Sequence, residues 1–127
     1  MDQRKRMILC VDDEETSLIL RKLVLEKSGF AVVTAGSANQ AMEIVGSQPI
    51  DLVLSDQLMP GETGTELARR IKAVRPGLPV LLVSGVNEVP IDADFADLFI
   101  SKLEGSENLC RKVREVLTAG FDAPQEG

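Results

Sequence analysis

Carboxylates follow two of the apolar stretches in this 127-residue chain. Asp12 and Asp13 come after the apolar residues 7–11, and Asp56 comes after the apolar and small residues 52–55. Stretches without polar alternation are typical of strands that are buried on both faces of a parallel sheet. The carboxyl ends of such strands form the edge at which open α/β sheets bind ligands, so these carboxylates are the first candidates for chemistry.

A hydroxyl and an ammonium group follow two later stretches of the same kind. Ser84 comes after residues 79–83, and Lys102 comes after residues 98–101. If the strands lie side by side, three carboxylates converge and repel one another, and Mg²⁺ would relieve this through carboxylate, carbonyl and water ligands. Lys102 would neutralise the remaining charge or contact a phosphate, and Ser84 could donate to a phosphoryl oxygen. Asp56, held between a metal ion and a lysine, is therefore the candidate nucleophile for phosphoryl transfer.

The composition excludes several other kinds of chemistry. The chain has no histidine, which removes serine–histidine and cysteine–histidine catalysis, histidine-ligated zinc and an internal histidine phosphodonor. A net charge of −6 and the lack of tryptophan and tyrosine disfavour direct binding to nucleic acid. Cys10 and Cys110 are predicted to be small buried hydrophobes rather than a disulfide or reactive thiols. No apolar stretch approaches the ~20 residues that span a membrane, and none resembles a signal peptide, so we expect a cytoplasmic protein.

Helices are predicted between the strands from apolar spacing and from their end signals. The first begins near Thr16, with Leu18, Ile19, Leu23 and Val24 available for its buried face, and stops at Gly29. Capping-box patterns begin the next two helices. The other predicted elements are a strand at residues 30–34 and helices at residues 37–45, 63–75 and 106–119.

The order of these elements predicts an α/β fold. Strands that alternate with helices form a parallel sheet with right-handed crossovers, and five strands favour the flavodoxin-like order 2-1-3-4-5. The stretch between Ser84 and Lys102 is short for a helix with two connections, and it contains Pro90 and poor helix formers. We therefore expect the fourth helix of this fold to be short or absent. The chain is expected to be one domain with a core at about residues 6–119 and a tail at residues 120–127.

Over about residues 6–119 the sequence resembles the receiver domain of bacterial two-component response regulators. The resemblance covers most of the chain, and its motifs form a highly specific set. They are the acidic pair Asp12-Asp13, Asp56 with Met59-Pro60 and Gly64 behind it, Ser84-Gly85, and Phe99 three residues before Lys102.

The resemblance implies a role for each matching residue. Asp56 would be the phospho-acceptor, and Mg²⁺ would be held by Asp13, by Asp56 and by the backbone carbonyl of Leu58. Asp12 would support the ion through water. The switch pair would be Ser84 and Phe99, and Lys102 would contact the phosphoryl group.

The resemblance also implies partners. The phosphodonor would be a histidine kinase or a phosphotransfer protein, the downstream partner an unidentified protein, and the chain a phosphoacceptor signalling domain rather than an enzyme with an external substrate. Because the fourth helix is expected to be short or absent, we expect a monomer or a weak dimer. The alternative is a receiver-fold interaction module that signals without phosphorylation. The chain ends soon after its last predicted helix, which leaves open a stand-alone receiver and a piece of a longer regulator or hybrid kinase.

Three positions depart from the pattern of the family. Leu103 stands where a cis proline usually follows the lysine, so the loop there is expected to be less fixed. Leu58 and Val86 are apolar where polar side chains often lie beside the phosphate. A water molecule that attacks the acyl phosphate would have fewer partners, so we expect a long-lived phosphorylated state.

Two other proteins with related folds fit the residues poorly. A flavodoxin-type FMN protein must cradle a phosphate in its first loop, but residues 12–15 are all acidic and would repel it. Phosphatases with an aspartyl intermediate usually place the nucleophile on the first strand, two residues before a second aspartate. Here the acids of the first strand are adjacent, and the candidate nucleophile follows the third strand.

Overall fold

The computed structural model describes residues 5–85, 97–102 and 105–118. Strands and helices alternate along these residues, except that β4 and β5 follow one another without a described helix between them. The elements are β1 (Met7–Val11), α1 (Glu15–Lys27), β2 (Ala31–Ala35), α2 (Ala38–Ser47), β3 (Leu52–Asp56), α3 (Gly64–Val74), β4 (Val80–Ser84), β5 (Leu98–Ser101) and α4 (Ser106–Thr118).

The strands form one parallel sheet in the order β2-β1-β3-β4-β5, which confirms the predicted flavodoxin-like topology. Val11 at the end of β1 is opposite Ser55 in β3. Asp56 is opposite Val83, and Ser84 is opposite Ser101 at the end of β5. Because the strands end at nearly the same level, the residues that end or follow them meet at one edge of the sheet.

Both faces of the sheet are covered, which explains why its strands are apolar without alternation. Leu9, Val53 and Leu82 pack in one cluster with residues of α2 and α3. On the opposite face, Leu54 and Leu81 pack with residues of α1 and α4. These five side chains are fully buried, and burial of each contributes about 1.5–3 kcal/mol to folding.

The helix ends follow most of the sequence signals, with exceptions at both ends of α2. Thr63 and Glu66 form the predicted reciprocal capping box at the start of α3, with N–H···O distances of 3.1 and 2.9 Å. Gly29 follows α1 with a φ of +100°, a conformation that side chains rarely adopt. At the start of α2, Ser37 accepts the N–H of Gln40, but the Gln40 side chain accepts the N–H of Gly36 and not that of Ser37, so the predicted capping box is incomplete. Gly46 was expected to end this helix, whereas α2 continues through it to Ser47.

The prediction for the buried face of α1 was partly wrong. Leu18 and Leu25 are buried, whereas Ile19 is 53% exposed and Leu23 is 54% exposed. Leu18 and Leu25 share an inner face with Arg21, since positions three and four residues apart lie on the same side of a helix. The reason is that the packing of α1 on β1, β2 and α4 decides which side of α1 is covered, and the helical period of α1 alone does not contain this information.

Both cysteines are free and buried, as predicted. Burial raises the pKa of the Cys10 thiol to about 12, so almost no thiolate is present at neutral pH. Cys110 packs in the same cluster beneath α1 and α4. These side chains therefore serve as small apolar residues of the core.

Asp97, the residue before β5, forms hydrogen bonds to β4 and to α3. Its Oδ2 atom accepts hydrogen bonds from the backbone N–H of Val80 and from Nζ of Lys72, both at 2.7 Å. Its own N–H donates to the carbonyl of Val80, and Lys72 also donates to the carbonyl of Leu78. One carboxylate thus joins the end of α3 to the first residues of β4 and β5.

Several predictions fall on residues outside the described ranges. These are the short or absent helix between β4 and β5, the roles of Val86 and Leu103, and the tail at residues 120–127. No cis peptide bond occurs among the described residues. None of the described helices is long and apolar enough to cross a membrane, and a cytoplasmic location remains a prediction from the sequence.

Candidate functional site

Three carboxylates meet at the carboxyl edge of the sheet. Oxygen atoms of Asp12, Asp13 and Asp56 all lie within 4.8 Å of one another. Asp12 and Asp56 are only 4% exposed, whereas Asp13 is exposed. The convergence predicted from the strand order is therefore present, and it arises because β1 and β3 are neighbours that end at the same level.

Asp56 is a buried acid that, among the described residues, directly contacts one cation. Nζ of Lys102 lies 3.0 Å from Oδ1 of Asp56. Apart from this ion pair, Oδ1 has no hydrogen-bond partner among the described residues. Burial raises the pKa of Asp56 and the nearby charge of Asp12 adds to the effect, while Lys102 and Arg21 oppose it. The site therefore leaves part of the negative charge of Asp56 uncompensated.

Both carboxylate oxygens of Asp12 have partners in the protein. Oδ1 accepts the backbone N–H of Glu14 at 3.0 Å, which shapes the turn before α1. Oδ2 pairs with Nη1 of Arg21 at 3.3 Å, and the Arg21 side chain is only 14% exposed. Arg21 was not predicted as a site residue from the sequence. Its signal was a basic residue on the inner face of α1, between Leu18 and Leu25.

The carboxylates lie in a cleft of about 590 Å³ between α1 and α4. Lys102 and Arg21 line the cleft together with the acids. The rest of its wall is partly apolar, with contributions from Leu20, Leu58 and Leu109. A charged group that enters the cleft would therefore meet cations, carboxylates and apolar side chains.

The remaining predicted site residues lie nearby in different environments. Leu58 is 52% exposed and lines the cleft two residues after Asp56. Ser84 is 3% exposed at the end of β4. Phe99 is half-buried and packs against the cluster beneath α2 and α3. Ser84 pairs with Ser101 and Leu82 pairs with Phe99, so Ser84 and Phe99 face the same side of the sheet.

A second group that the sequence analysis missed holds the loop after Asp56. Gln57 and Thr65 are each 3% exposed. Oε1 of Gln57 accepts both the backbone N–H and the hydroxyl of Thr65 at 3.0 Å, and the Gln57 carbonyl accepts the N–H of Gly64 at 2.8 Å. These bonds attach the first turn of α3 to the residue between Asp56 and Leu58. A buried glutamine directly after the candidate nucleophile was the available signal.

Comparison with known proteins agrees with this geometry. A family model described as the response regulator receiver domain matches residues 8–114. The receiver protein CpdR of Brucella abortus is 34% identical over 90 residues, which cover 71% of this chain and 74% of CpdR. The transcriptional regulatory protein GlrR of Escherichia coli is 33% identical over 90 residues, and the match covers 71% of this chain. The matched part spans only 20% of GlrR and 24% of the C4-dicarboxylate transport regulator DctD of Rhizobium meliloti.

Solved structures give the same result. The CheY-like receiver domain protein of Methanospirillum hungatei superposes with a TM-score of 0.84 at 28% identity, covering 98% of this chain and 100% of that one. The response regulator TrrA of Thermotoga maritima, whose crystals contain Mg²⁺ and a beryllium fluoride, gives a TM-score of 0.82 at 29% identity. That match covers 87% of this chain and 98% of TrrA.

Proposed function

This chain belongs to the response regulator receiver domain family, and on that premise we propose that Asp56 accepts a phosphoryl group from the phosphohistidine of a partner protein. The observation that carries the proposal is the buried Asp56 carboxylate, with two further carboxylates within 4.8 Å and Lys102 at 3.0 Å. Receiver domains are phosphoacceptor signalling domains of two-component systems. The donor residue lies outside this sequence, because the sequence contains no histidine.

The carboxylate cluster fits Mg²⁺. Its donors are hard oxygens, and buried Oδ1 of Asp56 has only the Lys102 ammonium beside it among the described residues. Asp13, Asp56 and the backbone carbonyl of Leu58 would hold the ion, and Asp12 would support it through water. When bound, the ion supplies positive charge that offsets the negative charge of the incoming phosphoryl oxygens.

The residues of the chain position and neutralise the reacting groups. A carboxylate oxygen of Asp56 forms a bond to phosphorus while the phosphorus–nitrogen bond of the donor breaks, and that electron pair stays on the imidazole nitrogen. Lys102 offsets negative charge at the transferred group, and the ion pair with Asp56 supports this role. Ser84 ends the neighbouring strand, and its hydroxyl is the candidate donor to a phosphoryl oxygen.

The switch pair Ser84 and Phe99 is the proposed route from the acceptor to the surface. Movement of Ser84 towards the new phosphoryl oxygens would open space on the face of the sheet that Phe99 shares with it. Phe99 is half-buried, so its ring can change position without opening the fully buried core. Two packings of one aromatic side chain that a local charge can bias form a conformational switch.

Phosphorylation can be tested with a small donor that needs no partner. The protein is incubated with Mg²⁺ and acetyl phosphate, and its intact mass is measured. The wild type is expected to gain the mass of one phosphoryl group, and Asp56→Asn is expected to gain none. Asp51→Asn is the matched control, because Asp51 lies before β3 at the opposite edge of the sheet and binds the N–H of Met7. Wild type that stays unmodified would instead favour an interaction module that works without phosphorylation.

A further inference from the structure

Arg21 lies against the carboxylate cluster from the inner face of α1. Its Nη1 atom is 3.3 Å from Oδ2 of Asp12, and the two side chains are 14% and 6% exposed. The ion pair is therefore shielded from solvent, unlike Lys22 and Glu26 on the same helix, which are both 43% exposed. An arginine stays protonated under all ordinary conditions, so this charge is permanent.

The contact divides the charges of the metal-free cluster into pairs. Lys102 lies beside Asp56, Arg21 lies beside Asp12, and Asp13 faces solvent. The influence of Arg21 extends beyond its own partner, because its charge also acts on Asp56. Among the described residues, Lys102 and Arg21 thus offset part of the negative charge of the three carboxylates when no metal ion is bound.

A divalent ion that binds the cluster must compete with these cations. Charges a few ångströms apart interact strongly when they are shielded from water. The guanidinium holds one oxygen of Asp12, and its positive charge would also repel a divalent cation bound at the cluster. The pair has one contact at 3.3 Å and not a two-bonded fork, so Arg21 can withdraw from Asp12 without the loss of an ideal geometry.

We propose that Arg21 is a built-in counter-ion of the metal site, which stabilises the metal-free cluster and lowers its affinity for Mg²⁺. The proposal rests on the proposed function, since it concerns the same carboxylates. It predicts opposite effects when the charge is removed. The metal-free protein loses stability because Asp12 is left buried without its cation, and Mg²⁺ binds more tightly because its competitor is gone.

A purely structural role for Arg21 predicts a different pattern. If the ion pair only held α1 against the turn at residues 12–14, its removal would loosen the carboxylates. Stability and Mg²⁺ affinity would then fall together. The sign of the change in affinity therefore distinguishes the two roles, while the change in stability alone does not.

The test measures Mg²⁺ binding by isothermal titration calorimetry at fixed ionic strength, without a phosphodonor. Arg21→Gln and Arg21→Leu are expected to bind Mg²⁺ about tenfold more tightly than the wild type, which corresponds to about 1.4 kcal/mol. Arg21→Lys keeps the charge and should stay within about twofold of the wild type. Lys22→Gln is the matched control, because it removes one positive charge from an exposed position of the same helix and should also stay within about twofold.

Each outcome has a stated meaning. Equal or weaker binding by both neutral variants would overturn the proposal. If the neutral variants are unfolded without metal, a Mg²⁺ titration followed by far-UV circular dichroism replaces calorimetry. Failure of Mg²⁺ to restore the helices would then count against the proposal. If the wild type binds no Mg²⁺, the metal site of the proposed function is refuted. If the wild type binds Mg²⁺ and the variants bind it no more tightly, only the role of Arg21 is refuted.

Discussion

At the scale of single residues, the site is dominated by negative charge that the fold compensates only in part. Asp56 is buried beside another acid, and the nearest positive charge is the half-exposed Lys102. Burial raises the pKa of Asp56, which means that the ionised form is less favourable in the folded protein than in the unfolded chain. The ionised carboxylate of Asp56 therefore carries a stability cost that a bound cation can relieve.

This cost predicts that Asp56→Asn stabilises the metal-free protein at pH 7, by on the order of 1 kcal/mol. A raised folded-state pKa means that the wild type loses stability as the pH rises from about 3.9, the unfolded value, through the folded value. The advantage of the variant should therefore shrink as the pH is lowered from 7 towards 4.5. Urea unfolding in the presence of a chelator, followed by far-UV circular dichroism, measures both quantities.

Asp51→Asn serves as a control for this experiment. Asp51 is also an acid at a strand end, but an asparagine oxygen can accept the same hydrogen bond from Met7. An advantage of Asp56→Asn that is absent at pH 7, or that grows as the pH falls, would contradict the charge argument.

Leu58 is the residue whose side chain is expected to set the lifetime of the phosphorylated state. It is 52% exposed and lines the cleft beside Asp56, where it offers no hydrogen bond to an attacking water. Leu58→Asn and Leu58→Glu are expected to accelerate loss of the phosphoryl group, because both supply a polar partner for that water. The decay of intact phosphoprotein mass after removal of acetyl phosphate measures the rate. Identical rates in all three proteins would show that the side chain at position 58 does not take part.

At the scale of secondary-structure elements, the first turn of α3 and the loop after β3 form one unit. A Cβ atom at Gly64 would lie 2.6 Å from the carbonyl oxygen of Asp56 and 2.8 Å from a methyl carbon of Leu82. The close approach lets Gly64 donate to the carbonyl of Gln57, and it places the Gln57 side chain against Thr65. The geometry at the acceptor thus depends on the packing of a neighbouring helix.

Gly64→Ala is therefore expected to destabilise the protein by about 1–3 kcal/mol, because the backbone of Asp56 must move. The matched control is Gly46→Ala in α2, where no heavy atom lies within 4 Å of the new Cβ. Alanine is the better helix former, so the control should gain up to about 1 kcal/mol. Far-UV circular dichroism during urea unfolding measures both, since the chain has no tryptophan or tyrosine. Equal stability of the two variants would contradict the close packing at Gly64.

At the scale of the whole molecule, the exposed apolar side chains of α1 lie beside the mouth of the cleft. Leu20 is 59% exposed and lines the cleft, and Ile19 and Leu23 are exposed next to it. Clustered exposed apolar residues beside a reactive group favour a protein-docking surface. A phosphodonor protein that docked over this part of α1 would bring its phosphohistidine close to Asp56.

Leu20→Glu and Leu23→Glu are therefore expected to slow phosphorylation by a phosphohistidine protein that labels the wild type, by about tenfold or more. Phosphorylation by acetyl phosphate should be nearly unchanged, because that donor needs no docking surface. Val74→Glu is the control, since Val74 is 60% exposed on α3, on the other face of the sheet. Equal slowing with both donors would show damage to the site itself and would contradict a docking role.

Much of the fold could be predicted from the sequence because its signals are local. A strand covered on both faces needs apolar residues at successive positions, and Thr63 with Glu66 marks a helix start within four residues. The convergence of the acids then followed from the strand order. The buried face of α1 was not predictable in the same way, because Ile19 and Leu23 are as apolar as the residues that are covered. Arg21 and Gln57 were missed because their partners lie on other elements.

The carboxylate of Asp97 has a consequence for protein engineering. It holds the residue before β5 against Val80 and Lys72, so the register of β5 is set where the strand begins. A design that moves or rebuilds β5 therefore has to keep the Lys72–Asp97 ion pair, because its loss would release the starts of β4 and β5 from α3.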